Sequence, residues 1–338
     1  MVMKDIMSKV AILTIFSYKN NKHYKLNPKC IRTDLRILLC YVINTVKCKN
    51  KNITVITDII PIPEIRSQLW NEFTKNVMDY CRELGFKGTF PNSKEDSCIL
   101  KWYQLTVTKV CKEINESEES LFIKISKYTL PVLNYNNIVE YASCFTNFKV
   151  VFGKNDYQKI YRETISKCKS NDKLLFYYTG HGDINKTLDL VIPNGNSEDE
   201  LSHKIFVNDV KNYLASNTES VFIFDCCYSE CIFNLQYKYK DGDIIKRDIN
   251  ESFPSNKSVL FISSAGKDQA CGFYEETGSL FTHFLINKSN FTFKNISTDI
   301  QKMIDNYRIS KNSKLQEISI SSNKEYLILN GSFPKWLM

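Results

Sequence analysis

Short runs of β-branched and aliphatic residues alternate along the chain with longer stretches in which apolar positions return every three or four residues. The short runs fit strands buried on both faces, and the longer stretches fit amphipathic helices. Val10 to Tyr18 reads as the first buried strand. Residues 31 to 46 place Leu35, Leu38, Leu39, Val42 and Val46 on one helical face. Ile53 to Thr57 is a second strand, ended by Asp58 and the Pro61/Pro63 pair. Ile65, Leu69, Trp70, Phe73, Val77, Cys81 and Leu84 then share a helical stripe that Gly85 stops. Residues 86 to 147 lose this order: short apolar pieces such as Leu121 to Ile125 sit among polar breaks, and the segment reads as an insertion.

The alternation resumes with a strand at Lys149 to Phe152. A helix follows, with Asn155 or Asp156 as its cap and Ile160, Thr164 and Cys168 on its inner face. Lys173 to Tyr178, Val221 to Phe224 and Ser258 to Ser263 are further buried strands. Helices are expected at Phe206 to Leu214, 278 to 287 and 298 to 308, and a last strand at Tyr326 to Leu329. The polar stretch from Gln236 to Lys257 is expected to be a mobile loop. This order implies an α/β fold, a mostly parallel sheet with helices on both faces.

Composition narrows the class. With 338 residues, 43% of them hydrophobic, the chain buries a core without disulfide or metal staples. No apolar run approaches the ~18 residues of a spanning helix. The early run from Val10 to Phe16 is short and lacks a small-residue cleavage site, so neither a signal peptide nor a membrane association is expected, and the cytoplasm is the expected location. The net charge of +8 comes from scattered lysines interleaved with acids, which does not point to specific nucleic-acid binding. The 12 cysteines contain no Cys-x-x-Cys pair, and the four histidines lack zinc-ligand spacing, so no metal site is assigned and most thiols are read as small core residues. No phosphate-binding glycine loop follows a strand.

Two strand ends carry chemistry. Tyr178-Thr179-Gly180-His181-Gly182 follows one buried run, and Asp225-Cys226-Cys227-Tyr228-Ser229 follows another. In an open α/β sheet, ligands bind beyond the carboxyl ends of the strands. A histidine between glycines has little cover from its neighbours, and a cysteine at a strand end before a helix has its thiolate favoured by the helix N-terminus. His181 lies 46 residues before Cys227, and a cysteine nucleophile needs such a base nearby in space.

These segments resemble those of the metacaspases, within the caspase-like cysteine peptidases. The family's histidine motif is similar to Tyr178-Thr179-Gly180-His181-Gly182, and its Asp-Cys-Cys-His-Ser-Gly motif is similar to Asp225-Cys226-Cys227-Tyr228-Ser229-Glu230. Lys9 to Tyr18, Leu26 to Leu39, Ile53 to Asp58, Ser263 to Gln269, Gly278 to Thr282 and Gln316 to Ser321 resemble further family segments. Tyr228 and Glu230 depart from the usual histidine and glycine.

The resemblance implies one caspase-like peptidase domain over residues 1–338, a three-layer sandwich. It implies a cysteine endopeptidase cutting after Arg or Lys through a thioester. Cys227 would be the nucleophile, His181 the base, and the N–H groups of Gly182 and Cys227 the oxyanion hole. Asp225, with Asp34, Thr179 and Cys30, would bind the basic side chain. Self-cleavage in the 236–257 stretch, at Lys238, Lys240, Lys246 or Arg247, belongs to the same reading. Calcium enters as a candidate cofactor by resemblance. However, the segment from Gly182 to Pro193 offers only Asp183 and Asp189 as acids, and Asn234 stands where the family tends to have an acid. The expected partners are protein or peptide substrates of a monomer. The alternative is a catalytically impaired pseudoenzyme serving as an interaction module, favoured by Tyr228 and Glu230 and opposed by the retained His181 and Cys227.

Overall fold

The apolar runs pair side by side. The computed structural model describes residues 8–18, 21, 23–58, 67–91, 99–116, 121, 147–151, 153–184, 188–194, 197–240, 242–249, 252–274, 277–287, 292–293, 296–311, 313, 316–329 and 337. Its strands are β1 (Lys9–Ile15), β2 (Ile53–Thr57), β3 (Asn147–Val150), β4 (Lys173–Thr179), β5 (Gly182–Ile184), β6 (Leu188–Asn194) and β7 (Ser197–Ser202). They continue with β8 (Glu219–Asp225), β9 (Tyr237–Lys240), β10 (Asp243–Lys246), β11 (Ser258–Ser263), β12 (Phe273–Tyr274), β13 (Gly278–Ser279) and β14 (Ser319–Ser322). The helices are α1 (Pro28–Cys40), α2 (Ser67–Glu83), α3 (Ile99–Ile114), α4 (Lys154–Ser166), α5 (His203–Tyr213), α6 (Leu280–Asn287), α7 (Gln301–Ser310) and α8 (Tyr326–Leu329).

Among the described residues, nine strands form one sheet in the order β10-β9-β14-β11-β8-β4-β1-β2-β3. From β11 to β3 every neighbouring pair is parallel; β14, β9 and β10 extend the other edge antiparallel. Along β4, Leu175 and Tyr177 enter one core and Leu174, Phe176 and Tyr178 the opposite one, as the two-residue period of a strand requires. Residues of α1, α6 and α7 fill the first core, and residues of α4 and α5 fill the second. Both sheet faces are therefore covered, giving three layers. Rings dominate the second core: Phe176 stacks on Phe224 at 5.7 Å and meets Phe206 at 5.2 Å. Each such fully buried side chain contributes roughly 1.5–3 kcal/mol.

The chain forms two compact units, one of residues 1–59 and 146–338 and one of residues 60–145. The sequence places an insertion at 86–147; the second unit begins earlier and also holds α2. Within it, Gly85 takes φ +98° just past α2, Trp102 Nε1 donates to Pro91 O (2.9 Å), and Glu113 accepts from the N–H groups of Lys87 and Gly88. Pro61, Pro63, Ile65, Phe152 and most of Leu121 to Ile125 lie outside the described residues.

Four local expectations are corrected. Tyr326 to Leu329 is a helical turn, and the last strand is Ser319–Ser322, whose serines hide it from a search for apolar alternation. The stretch from Gln236 to Lys257 is not a loop throughout: β9 and β10 form a hairpin turned at Gly242 (φ +96°), and β9 pairs with β14. The 298–308 helix begins with a π-helical turn at Ile296–Ile300. Neither Asn155 nor Asp156 caps α4; Gly153 sits at its cap position, and Asp199, distant in sequence, accepts the Lys154 N–H at 2.7 Å. No helix among the described residues is long and apolar enough to cross a membrane.

Because Asp199 stands in for the missing local cap, Asp199→Ala should destabilise the fold by about 1–2 kcal/mol. Thermal unfolding should show a Tm lower by roughly 2–4 °C per kcal/mol, and an unchanged Tm would remove Asp199 from that role.

Candidate active site

Parallel pairing of β4 with β8 aligns the two motifs. Thr179 is the register partner of Asp225, so His181 and Cys227 each stand two residues beyond that matched pair, at the same edge of the sheet. Strands in a sheet lie ~4.8 Å apart, so this register makes the two motifs neighbours.

The backbone of His181 is clamped by two buried tyrosines. Its N–H donates to Tyr18 Oη (2.8 Å), and its carbonyl accepts from Tyr178 Oη (2.9 Å). Both hydroxyls reach around Gly180, where an added Cβ would lie 2.6 Å from Tyr18 Oη and 3.0 Å from Tyr178 Oη. The first glycine of the Gly-His-Gly motif therefore makes room for the clamp. The imidazole packs against the rings of Tyr18 and Tyr24, with centroids at 4.8 and 5.1 Å. Nε2 lies 2.7 Å from Tyr24 O. A carbonyl oxygen only accepts, so Nε2 carries the proton and Nδ1 is left as the basic nitrogen. Burial lowers the histidine pKa below its ordinary value, against the carbonyl contact and the Asp183 charge, and keeps the ring neutral at physiological pH. The loop that supplies the carbonyl is itself held: Asn21 Oδ1 accepts the Tyr24 N–H (3.0 Å), and Tyr24 Oη donates to Asp183 (2.8 Å).

Cys227 is partly buried and faces a second thiol. Cys271 Sγ lies 4.0 Å from Cys227 Sγ. A hydrogen bond from the Cys271 thiol brings the Cys227 pKa down to about 7; the N–H groups of Cys271 and Cys227 assist, and burial opposes. Cys271, donating to that thiolate and partly shielded from solvent, holds its own proton well above the ordinary thiol range. The expected helix after the nucleophile is only a 3-10 turn, Ser229–Cys231, so these local donors do what a helix N-terminus was expected to do. Cys226 points into the aromatic core, where burial pushes its pKa well up.

Two carboxyls lie buried behind the motifs. Asp225 Oδ2 accepts from Ser279 Oγ and from the Thr282 hydroxyl (2.6 Å) and N–H (3.3 Å). Asp34, from α1, accepts the Ser279 N–H. Ser279 thus bridges the pair. Its N–H reaches Asp34 because Gly278 takes φ +73°, and a Cβ on Gly278 would fall 2.1 Å from Asp34 Oδ1. Burial raises both carboxyl pKa values, and for Asp34 the Asp225 charge adds to the rise. Thr179 Oγ1 is buried without a hydrogen-bond partner; Asp225 Oδ1 and Ser264 Oγ make no bond of regular geometry, yet the Ser264 hydroxyl lies near enough to Asp225 to offset part of the burial effect on its carboxyl. Cys30, one turn before Asp34, is buried with its thiol 3.1 Å from Tyr274 O.

The departures from the family motif have structural partners. Tyr228 adopts a left-handed conformation (φ 59°), and its N–H donates to Gln269 O (2.8 Å). Glu230 pairs with Lys238 on β9 (2.5 Å) and accepts from Ser319 Oγ on β14 (3.3 Å), tying the Cys227 loop to the antiparallel edge. Among the described residues, no three His, Cys, Asp or Glu side chains converge to hold a metal. Asp183 and Asp189 are cross-strand partners on β5 and β6, Asp183 accepts from Tyr24 Oη, and Asn234 is exposed on another segment. Gly182 begins β5, opposite Leu190.

Three participants escaped the sequence. Cys271 stands 44 residues after Cys227 with no motif spacing, Tyr24 contributes a backbone carbonyl that no side-chain pattern encodes, and Tyr18 looks like one more apolar strand residue.

The sequence model of the caspase domain (peptidase family C14) matches residues 120–324, well over half of the chain. The chain belongs to the caspase domain family, a family of cysteine peptidase domains. No curated protein shows significant sequence similarity to it. Among solved structures, it is similar to caspase-1 from Spodoptera frugiperda (10% identity, TM-score 0.38, covering 93% of this chain and 86% of that one). It is also similar to protein GSU0716 from Geobacter sulfurreducens (13% identity, TM-score 0.36, covering 52% and 75%).

The thiol pair makes a direct prediction. The rate of Cys227 alkylation by iodoacetamide, followed by peptide mass spectrometry, should titrate with a midpoint near about 7. Cys271→Ala should move that midpoint upward, since the lost donor favoured the thiolate. An unmoved midpoint would leave Cys271 without a part in activating Cys227.

Proposed function

We propose that this caspase-family domain is a metacaspase-like cysteine endopeptidase that hydrolyses peptide bonds after arginine or lysine. The observation that carries this reading is the pair of fully buried carboxyls at the end of the Cys227 strand, Asp225 and Asp34, bridged by Ser279, which we take as the floor of the pocket for the substrate's basic side chain. Two buried carboxyls raise each other's cost of ionisation, and a guanidinium or ammonium group relieves it. An aspartate side chain entering the same pocket would add a third like charge.

In the proposed mechanism, the Cys227 thiolate attacks the scissile carbonyl, and the N–H groups of Gly182 and Cys227 take up the developing oxyanion charge. Each such donor lowers the barrier by about 3 kcal/mol. His181, its Nε2 proton held by Tyr24 O, uses Nδ1 to accept the thiol proton and return it to the leaving amine. Water then hydrolyses the thioester. Asp225 binds the basic side chain, with Asp34, Thr179 and Cys30 around it. Self-cleavage is part of the reading: Lys240 and Lys246 are exposed on either side of Gly242 in the β9–β10 hairpin, whereas Lys238 and Arg247 are engaged by Glu230 and by Leu235 O.

Fluorogenic peptides ending in arginine, lysine or aspartate test the proposal, with and without millimolar calcium. Arginine and lysine peptides should be cut by the wild type and by neither Cys227→Ala nor His181→Ala. Asp225→Asn should lose roughly 10–100-fold in kcat/KM for arginine, the worth of a charged hydrogen bond of ~1.5–3 kcal/mol. Intact-mass spectra should show cleavage after Lys240 or Lys246 in wild type only. Aspartate preference would sink the assigned specificity, and inactivity of folded protein in every lane would favour the interaction-module reading.

The raised carboxyl pKa values add a pH dependence. In the free pocket the carboxyls hold protons above the ordinary carboxylate range, and a cationic side chain binds the ionised form. Binding an arginine peptide should therefore release protons, and affinity should strengthen as pH rises through the raised pKa values. Calorimetry of Cys227→Ala with such a peptide, in buffers of different ionisation enthalpy, reads the sign; proton uptake would contradict it.

A further inference from the structure

We infer that Cys227 and Cys271 form a reversible redox pair: a peroxide oxidises Cys227, and Cys271 closes a disulfide onto it, switching the nucleophile off and shielding it from further oxidation. The two sulfurs face each other at 4.0 Å. A disulfide needs ~2.05 Å, so they must approach by about 2 Å. Cys271 stands in the irregular segment between β11 and β12, next to Gly272, and Cys227 stands in the turn that Tyr228 completes; neither is locked in a strand or helix. The Tyr228 N–H bond to Gln269 O and the Glu230 N–H bond to Ala265 O staple the two segments together, so the thiols stay opposed while the backbone adjusts.

The neighbouring thiols are unsuited to the same role. Cys226 is fully buried among aromatic side chains on the other side of the strand end, and adjacent cysteines do not readily bridge. The Cys231 thiol lies 3.9 Å from Lys267 O.

The chemistry balances with hydrogen peroxide as the oxidant. The Cys227 thiolate attacks one peroxide oxygen, an S–O bond forms, the O–O bond breaks, and hydroxide leaves to become water. Cys227 is oxidised by two electrons to a sulfenic acid as the peroxide is reduced. The Cys271 sulfur attacks that sulfur, the S–S bond forms, the S–O bond breaks, and the hydroxyl leaves with the thiol proton as water. A dithiol reductant reverses the bond by exchange. The lowered pKa of Cys227 suits the attacker; the Cys271 pKa is raised first by its bond to the Cys227 thiolate, and that hold on its proton is lost once Cys227 is a sulfenic acid, which frees the resolving thiolate. The pairing rests on the two thiols alone; its effect as a switch rests on the function proposed above.

The test treats the folded full chain with a few equivalents of hydrogen peroxide, traps free thiols with N-ethylmaleimide, and maps the digest by fragmentation mass spectrometry. The expected product is a Cys227–Cys271 cross-link that dithiothreitol removes, with at least tenfold loss of arginine-peptide cleavage and its recovery on reduction. Cys271→Ser keeps a hydrogen-bond donor but no bridge. In that variant Cys227 should advance to the sulfinic acid, 32 mass units heavier, and dithiothreitol should not restore it. A wild type whose Cys227 goes directly to sulfinic acid, or bridges to Cys226 or Cys231, overturns the inference. Protein that forms the cross-link yet cleaves no peptide before oxidation keeps the redox pair and rejects the peptidase; active protein without the cross-link does the reverse.

Discussion

Everything at the candidate site depends on the unbroken parallel register between β4 and β8. It runs from Lys173 opposite Glu219 to Thr179 opposite Asp225, with no bulge. Side chains alternate faces along a strand, so a one-residue slip would turn Tyr178 and Asp225 to the wrong cores. The register is held by burial on both faces: Leu175 and Tyr177 in one core, Phe176 and Tyr178 in the other, with Phe176 and Tyr178 both stacked on Phe224. Once those rings are seated, the residues beyond Thr179 and Asp225 leave the sheet together, and His181 and Cys227 stand at one edge.

That edge is expensive to build, and its neighbours are arranged around the cost. Two carboxyls are taken out of water with one bridging serine between them, and their shared burial raises both pKa values. One Asp225 oxygen is saturated by Ser279 and Thr282, while the other has only the Ser264 hydroxyl nearby, outside regular hydrogen-bond geometry. Glycine appears where side chains would intrude: Gly180 leaves space for two tyrosine hydroxyls, and Gly278 for Asp34. These local conflicts with ordinary packing are gathered at one edge of the sheet, beside both motifs.

The candidate nucleophile and its candidate base are prepared by different means. His181 is oriented by a backbone carbonyl and two tyrosine hydroxyls, contacts set by chain geometry. Cys227 is tuned by another thiol, a softer and chemically reactive partner. The same proximity that favours the thiolate exposes it to a second fate in oxidising conditions. Glu230, a departure from the metacaspase motif, finds Lys238 and Ser319 and couples the Cys227 loop to the antiparallel edge.

The periodicity of the sequence was enough to locate β1, β2, β4, β8 and β11 and most of the helices, because a strand buried on both faces must be apolar throughout and an amphipathic helix must repeat near 3.6. It also marked His181, Cys227 and Asp225, whose types and places after strands are local facts. It did not show β14, whose serines carry no apolar alternation, nor the β9–β10 hairpin, whose charged residues suit an edge strand as well as a loop. The cap of α4 by Asp199, the carbonyl of Tyr24 on His181, the bridge of Ser279 between Asp34 and Asp225, and Cys271 opposite Cys227 join residues far apart in the chain. Sequence alone determined which segments pair with water and which with the core. Only tertiary structure decided which distant atoms meet, because hydrogen bonds and thiol contacts act over a few ångströms of space and leave no period along the chain.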